Sequence, residues 1–327
     1  NSKVLPLILM DLIKLKKKYS LKRSLRFYFL SLLYKKDAGD FDKYVDDTVL
    51  IRILNYNSRQ GSWPLLADKV VFSQIMKALP GSTPLYLGKI ENGFIFDSED
   101  KGVKLSSNTD LVPYLNKLLE QHKVVFVKKD VSYGGKGVYR VTNISDFDFN
   151  KVDINGKYLI EKGLTQHDDL NKINPYCINT LRVITLNRNG EVKVTSSLLR
   201  MGVDKSHNDN STTGGIYVAY DLKENKLYKT ANKDAEKGGR SYVKHPDTHF
   251  VLENQPLPYP DRVISLVAEA AKLFPDRYIV GWDVAYTPQG PVIIEGNTNP
   301  CPIQMQIALR GLRNNKLYDN LYHEFYG

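Results

Sequence analysis

Apolar positions in the first part of the chain recur at helical intervals. Ile8, Leu12, Leu15 and Tyr19 are followed by Leu21, Leu25, Tyr28 and Leu32, while Lys14, Lys17, Lys18, Lys22 and Arg26 fall largely elsewhere. This spacing predicts helix over residues 4–35. Asp68-Lys69 followed by Val70, Val71, Phe72, Ile75 and Met76 predicts a capped helix that stops at Pro80-Gly81. Short strands with turns fill residues 84–105, a helix covers 111–122, and a dense Val/Phe strand runs over 123–129. A short apolar strand at 158–161 gives way to polar sequence. Residues 179–186 alternate as a strand, turn at 187–190 and return over 191–200. An amphipathic helix at 262–274 precedes two β-branched or aromatic runs, 280–286 and 291–294, joined by Thr287-Pro288-Gln289-Gly290, which together predict a hairpin. The tail over 303–326 predicts helix covering the core, and residues 44–56 suit helix or strand.

At 327 residues the chain can bury a large core in two or more lobes. The net charge of +10 is uneven: residues 1–40 hold ten Lys or Arg against three Asp. That basic amphipathic stretch either packs on the core of the chain or lies on an anionic membrane surface, and packing is the simpler reading. No basic run is interleaved with aromatics, so no nucleic-acid partner is expected. Cys177 and Cys301 have no short spacing that would make a disulfide framework or zinc knuckle, which fits a reducing cytoplasm. The longest apolar run, residues 4–13, is about half of what a spanning helix needs, and its lysines follow it, the wrong order for a secretory signal.

The hairpin carries the strongest candidate chemistry. Asp283 and Glu295 lie six residues either side of Gln289, so a symmetric register sets them opposite each other, with Cβ atoms about 5 Å apart. Asn297 follows on the same face. Facing carboxylates repel unless one is protonated or a cation lies between them, and an oxygen-only set suits magnesium or manganese better than zinc. A solvated hairpin is the alternative. The apolar run Val292-Ile293-Ile294 favours a buried strand that delivers its acid to the edge of a core.

Other stretches read two ways. The strand ending in Lys128-Lys129 runs into Ser132-Tyr133-Gly134-Gly135-Lys136-Gly137, which is either a phosphate cradle of backbone N–H groups or a plain hairpin turn. Arg182 and Arg200 sit in largely apolar strands and need anionic partners, a neighbouring carboxylate or a bound phosphoryl and carboxylate. Asp168-Asp169 would serve as a helix N-cap pair before Leu170. His245 and His249 have zinc-helix spacing, but Pro246 argues against a helix there.

At KVVFVKKDVSYGGKGVYRV, YLIEKGLTQHDDLNKINPYCINTLRVITL, LLRMG and the acidic hairpin, across roughly residues 65 to 310, the chain resembles the ATP-grasp superfamily, and more fully its sugar-transfer-associated members. The resemblance implies an α+β ATP-grasp fold with two sheet-bearing lobes clasping ATP. It divides the chain into a basic helical extension (1–62), an N-terminal part with the lid lobe (63–164) and a C-terminal catalytic lobe (165–327). Lys128 would meet the α-phosphate region; Lys129, standing where the family has proline, competes for that role. The loop Ser132, Gly134, Gly135 and Gly137 would close over the β- and γ-phosphates, with Lys136 in reach. Glu161, Lys162 and Leu164 would border adenine, and Asp168 would take the ribose. Asn210 and Gly214-Gly215 resemble an acceptor-side asparagine and glycine pair of glutathione-synthetase-like relatives, and a flexible lid explains the same composition. Arg182 and Arg200 would stabilise the transferred phosphoryl, and Asp283, Glu295 and Asn297 would hold magnesium. The role of Lys69, in the Asp-Lys helix, varies between families.

The implied activity joins a carboxylate to an amine through an acyl phosphate with release of ADP, and the family name points to an amino acid and a sugar in surface-glycan assembly. A kinase acting on a sugar or small-molecule hydroxyl would use the same ATP site. A non-catalytic membrane- or glycan-binding module would need neither acid.

Overall fold

The computed structural model describes residues 2–46, 48–50, 52, 63–131, 137–298, 300 and 302–326. Its architecture is α+β, built on two antiparallel sheets. The first comprises β1 (Tyr86–Glu91), β2 (Phe94–Asp97), β3 (Gly102–Lys104), β4 (Val125–Lys129), β5 (Val138–Val141) and β6 (Lys157–Lys162), in the order β3-β2-β1-β6-β4-β5. Period-two alternation sorts its faces. Val125, Val127 and Ile160 point to a core shared with Leu111, Leu115 and Leu118 of the helix Leu111–Gln121, leaving Lys128, Leu159 and Glu161 on the opposite face.

The second sheet comprises β7 (Thr180–Arg188), β8 (Glu191–Met201), β9 (Ile216–Asp221), β10 (Lys226–Leu227), β11 (Ala231–Lys233), β12 (Ser241–Tyr242), β13 (Ile279–Thr287) and β14 (Gly290–Asn297). The order is β12-β11-β9-β8-β7-β13-β14, with β10 paired to β9. One face packs Leu181, Val183, Leu199, Trp282 and Val284 against Val263 and Val267 of the helix Pro260–Lys272. The other face is divided. Ile184, Leu186, Leu198 and Ile279 are covered by Met305, Ile307 and Leu321 of the C-terminal tail and by Leu32 and Val45 from the N-terminal region. Thr180, Arg182 and Asp283 lie farther along that face.

The helix Lys69–Met76 joins the two sheets. Asp68 caps it, accepting from the Val71 N–H at 2.8 Å. Val70 packs with Tyr86 and Leu159 of the first sheet, whereas Phe72 and Met76 enter the core of the second. The helix ends at Met76, short of Pro80.

Two expectations are corrected. Residues 4–35 form two helices, α1 (Leu5–Lys16) and α2 (Leu21–Leu30), because Ser20 caps α2 by accepting from the Arg23 N–H and so starts a new helix. The inward side of α2 is Ser24, Phe27 and Tyr28, while Leu21 and Leu25 are exposed. The hairpin is not centred on Gln289. Thr287 pairs with Gly290 across a two-residue link, a register that alone would set Asp283 opposite Ile294. A bulge at Ile294 adds one residue to β14, and Asp283 pairs with Glu295 after all. Of the 44–56 stretch, residues 47, 51 and 53–56 lie outside the described residues.

Candidate active site

The pairing of β8, β7, β13 and β14 sets Leu198, Arg182, Asp283 and Glu295 in one row across the sheet. Arg182 grips Asp283 in a fork, Nε to Oδ1 at 2.5 Å and Nη2 to Oδ2 at 3.2 Å. Arg200, from β8, reaches the same acid, Nη2 to Oδ2 at 2.7 Å. Its Nε and Nη2 also donate to the Thr180 hydroxyl at 3.0 and 2.7 Å, and that hydroxyl donates to Asp209 Oδ2 at 2.5 Å. Asp209 further accepts the Thr180 N–H at 2.9 Å. Space for this crowding comes from Gly281, where a Cβ would fall 2.8 Å from that of Pro300 and 3.1 Å from Arg182 Cδ. Both arginines therefore share Asp283 as their anion, and Arg200 has Asp209 as a second at 3.8 Å.

Asp283 is 2% exposed. Burial opposes its ionisation, but Arg182 and Arg200 outweigh burial and hold it well below the usual carboxylate range. Glu295 goes the other way: burial raises it, and the negative charge of Asp283 raises it further. No ion pair to Glu295 is present among the described residues; it shares a hydrogen bond with Asp283 and accepts one from Asn297 Nδ2 at 3.1 Å. The Asn297 amide also lies 3.5 Å from Asp283. Turned over, that amide would offer Oδ1, giving two carboxylates and a carbonyl. An all-oxygen set of this kind fits a hard divalent ion with phosphate oxygens completing the shell. Among the described residues no group of three or more His, Cys, Asp or Glu could hold a metal alone.

On the first sheet, Lys128 pairs with Glu161 at 2.5 Å on the face that the helix Lys69–Met76 adjoins. The pleat turns Lys129 to the other side, where it is exposed at the strand end. Lys69 links the two sheets. Its Nζ donates to the Asp130 carbonyl at 2.8 Å, and it feels the charges of Glu295 on one side and of Lys128, Asp130 and Glu161 on the other. Burial lowers its pKa, an effect these acids oppose. Asp130 is raised to about 6 by burial and by neighbouring Asp68, which itself pairs with Lys157 at 2.5 Å.

The remaining candidates are more dispersed. Ser132, Gly134, Gly135 and Lys136 lie outside the described residues. Gly137 adopts φ +69° and its carbonyl accepts the Lys129 N–H at 2.7 Å. Lys162 is exposed with its N–H on the Leu85 carbonyl, and Leu164 is half-buried. Asp168 is exposed in the first turn of the helix Asp168–Ile173. The N-cap there is His167, not the Asp168-Asp169 pair, because the His167 ring accepts the Asp169 N–H. Asn210 caps the short turn Ser211–Thr213, accepting from Thr212 N–H at 3.0 Å. His245 is buried with Nε2 against the Gly202 carbonyl at 2.8 Å, and His249 is exposed.

Sequence pattern does not single out Thr180 or Asp209. Thr180 shares the face of Arg182, two residues on, which is a usable signal. Asp209 sits between asparagines in a polar loop, where an acid ordinarily faces water.

Among solved structures the chain is similar to D-alanyl-alanine synthetase A from Vibrio cholerae (14% identity, 80% of this chain and 65% of that one, TM-score 0.46). It is also similar to the D-alanine-D-alanine ligase from Coxiella burnetii (11%, 80% and 61%, 0.40) and an L-amino acid ligase from Bacillus licheniformis (14%, 72% and 40%, 0.39). The chain thus spans less than two thirds of the length of each. No curated protein matches it. A model of the sugar-transfer-associated ATP-grasp proteins matches residues 138–317, more than half of the 327 residues and the whole of the Arg182–Asp283–Glu295 row, and the chain belongs to that family.

Proposed function

We propose that the protein is a magnesium- and ATP-dependent ligase that activates a carboxylate as an acyl phosphate and joins it to an amine. A carboxylate oxygen attacks the γ-phosphorus, the bond from that phosphorus to the β,γ-bridging oxygen breaks, and ADP leaves. The amine nitrogen then attacks the acyl carbon, inorganic phosphate departs, and the nitrogen gives up a proton. No side-chain nucleophile is required; positioning and charge stabilisation carry the rate. Lys128, Lys129 and the 132–137 loop would hold the phosphates, Glu161, Lys162 and Leu164 the adenine, and Asp168 the ribose. Arg182 and Arg200 would face the transferred phosphoryl, with Asn210 on the acceptor side. Asp283, Glu295 and Asn297 would hold magnesium or manganese, which would supply charge stabilisation to the phosphates.

The observation that carries this reading is the all-oxygen group at the end of the second sheet, Asp283 paired opposite Glu295 with the Asn297 amide 3.1 Å from Glu295 and 3.5 Å from Asp283. The family's association with sugar transfer supports an amino acid and a sugar-linked partner in surface polysaccharide or glycoconjugate assembly. The test is ADP release against pools of amino acids and sugar acids, with Glu295→Gln as control and hydroxylamine as trap. An acid-dependent signal that yields a hydroxamate is expected. A phosphorylated hydroxyl product without hydroxamate identifies a kinase instead. No magnesium-dependent ATP binding by calorimetry leaves a non-catalytic binding module.

A further inference from the structure

The helical extension is apolar on two sides. Its inner side is accounted for by a local core of Leu15, Phe27, Tyr28 and Leu33, with Ile8 and Leu12 packed against it. On the outer side of α1, Leu5, Leu9 and Ile13 repeat every four residues at 66%, 51% and 60% exposure, with Met10 beside them at 54%. In α2 the same spacing recurs as Leu21, Leu25 and Phe29, at 53%, 37% and 47%. A helix seated on a core with water behind it normally turns charged residues outward. Here the outward positions are leucine, isoleucine and phenylalanine.

The charges flanking these stripes have one sign. Lys16 and Lys17 follow Ile13 by three and four residues, on the same side of the helix, and Lys22 opens α2; all three are exposed. The nearby acids are engaged elsewhere: Asp11 by Lys3 and the Tyr28 hydroxyl, Asp42 by Lys18, and Asp46 by Arg23. Among the described residues no carboxylate pairs with Lys16, Lys17 or Lys22. Apolar stripes bordered by uncompensated lysines match the layering of an anionic bilayer surface, acyl chain beneath phosphate. No described helix is long and apolar enough to cross a membrane, so the fit is to lying on the surface.

We propose that α1 and α2 seat the protein on an anionic phospholipid surface, with Leu5, Leu9, Ile13, Leu21, Leu25 and Phe29 at the headgroup–acyl boundary and the lysines against lipid phosphates. The extension is fastened to the second sheet through Lys35, whose Nζ donates to Ser241 Oγ at 2.5 Å; that hydroxyl donates in turn to Asn232 Oδ1 at 3.0 Å. Docking therefore holds the catalytic lobe itself at the surface. It stands independently of the ligase reading and is measured without nucleotide.

The experiment is co-sedimentation of the full chain with phosphatidylcholine vesicles, with and without phosphatidylglycerol, at low and high salt. Pelleting only with phosphatidylglycerol, weakened by salt, is expected. Leu9→Gln/Ile13→Gln and Lys16→Glu/Lys17→Glu each should weaken partitioning more than about tenfold with an unchanged unfolding midpoint, since all four residues are exposed. Equal pelleting with both vesicle types, or binding that neither variant alters, overturns the proposal. So does a dimer seen by light scattering that Leu9→Gln/Ile13→Gln dissolves while wild type ignores vesicles, which makes the face a self-association surface.

Discussion

The two sheets each bring a buried ion pair to the same neighbourhood, and they balance it differently. On the first sheet one lysine meets one glutamate, Lys128 and Glu161, and the charge closes. On the second, two guanidinium groups converge on Asp283, while Glu295 next door is held toward its neutral form. The first arrangement is a closed pair that must open to receive anything. The second joins two guanidinium groups to Asp283 and Asp209 and keeps beside them an acid held toward its neutral form, which a nearby cation would draw to the carboxylate. Strand order produces the difference: β7, β8 and β13 converge on one carboxylate, whereas β4 and β6 supply one group each.

The largest expected effect is that of Glu295→Gln. Glutamine keeps the shape of the neutral acid, so urea unfolding should move little while ADP release falls about a hundredfold or more. Equal losses of stability and activity would make Glu295 a structural residue. Asp283→Asn comes next: it leaves Arg182 buried without its counter-charge and Arg200 with Asp209 alone, and should cost about 3–5 kcal/mol in urea unfolding. Glu161→Gln strands only Lys128 and should cost less, about 1–3 kcal/mol. Should the first-sheet variant prove the more damaging, the contrast between the sheets is wrong.

The pH dependence sharpens the same contrast. Because the pKa of Glu295 is raised in the fold, its neutral form contributes stability that is complete below the unfolded value of 4.5 and lost as pH rises through the folded value. Wild type should therefore lose stability relative to Glu295→Gln over that interval, and Mg-ATP should reverse the trend by favouring the carboxylate. Urea midpoints over roughly pH 4–8 for both proteins, with and without Mg-ATP, read this directly. The smallest effect belongs to the first sheet. Asp130, raised from 3.8 to about 6, contributes stability that is complete below 3.8 and gone above about 6. It is partly exposed, so the difference between wild type and Asp130→Asn should stay below about 1 kcal/mol.

Much of the site was legible in advance, though not always by the right route. The opposition of Asp283 and Glu295 follows from counting outward from Gln289, yet the molecule reaches it with a two-residue link and a compensating bulge. The need of Arg182 and Arg200 for anions followed from their apolar surroundings. That both would share Asp283 did not, nor did the part played by Asp209. That Lys128 and Lys129 lie on opposite faces of β4 follows from the pleat, but which of them has a partner, Lys128 with Glu161, did not. In the extension, helical periodicity set Leu21, Leu25, Tyr28 and Leu32 on one stripe; Tyr28 and Leu32 are buried, with Phe27 beside Tyr28, and Leu21 and Leu25 are exposed.

Local alternation and spacing, which act over a few residues, were enough to determine the strands, the principal helices and the inventory of charges that strands carry in apolar company. Partnership was decided only in three dimensions. Arg182 and Asp283 are 101 residues apart in the chain. They meet because β7 and β13 are neighbours in the second sheet, and strand order is settled by how whole faces bury against the helix Pro260–Lys272 and the C-terminal tail.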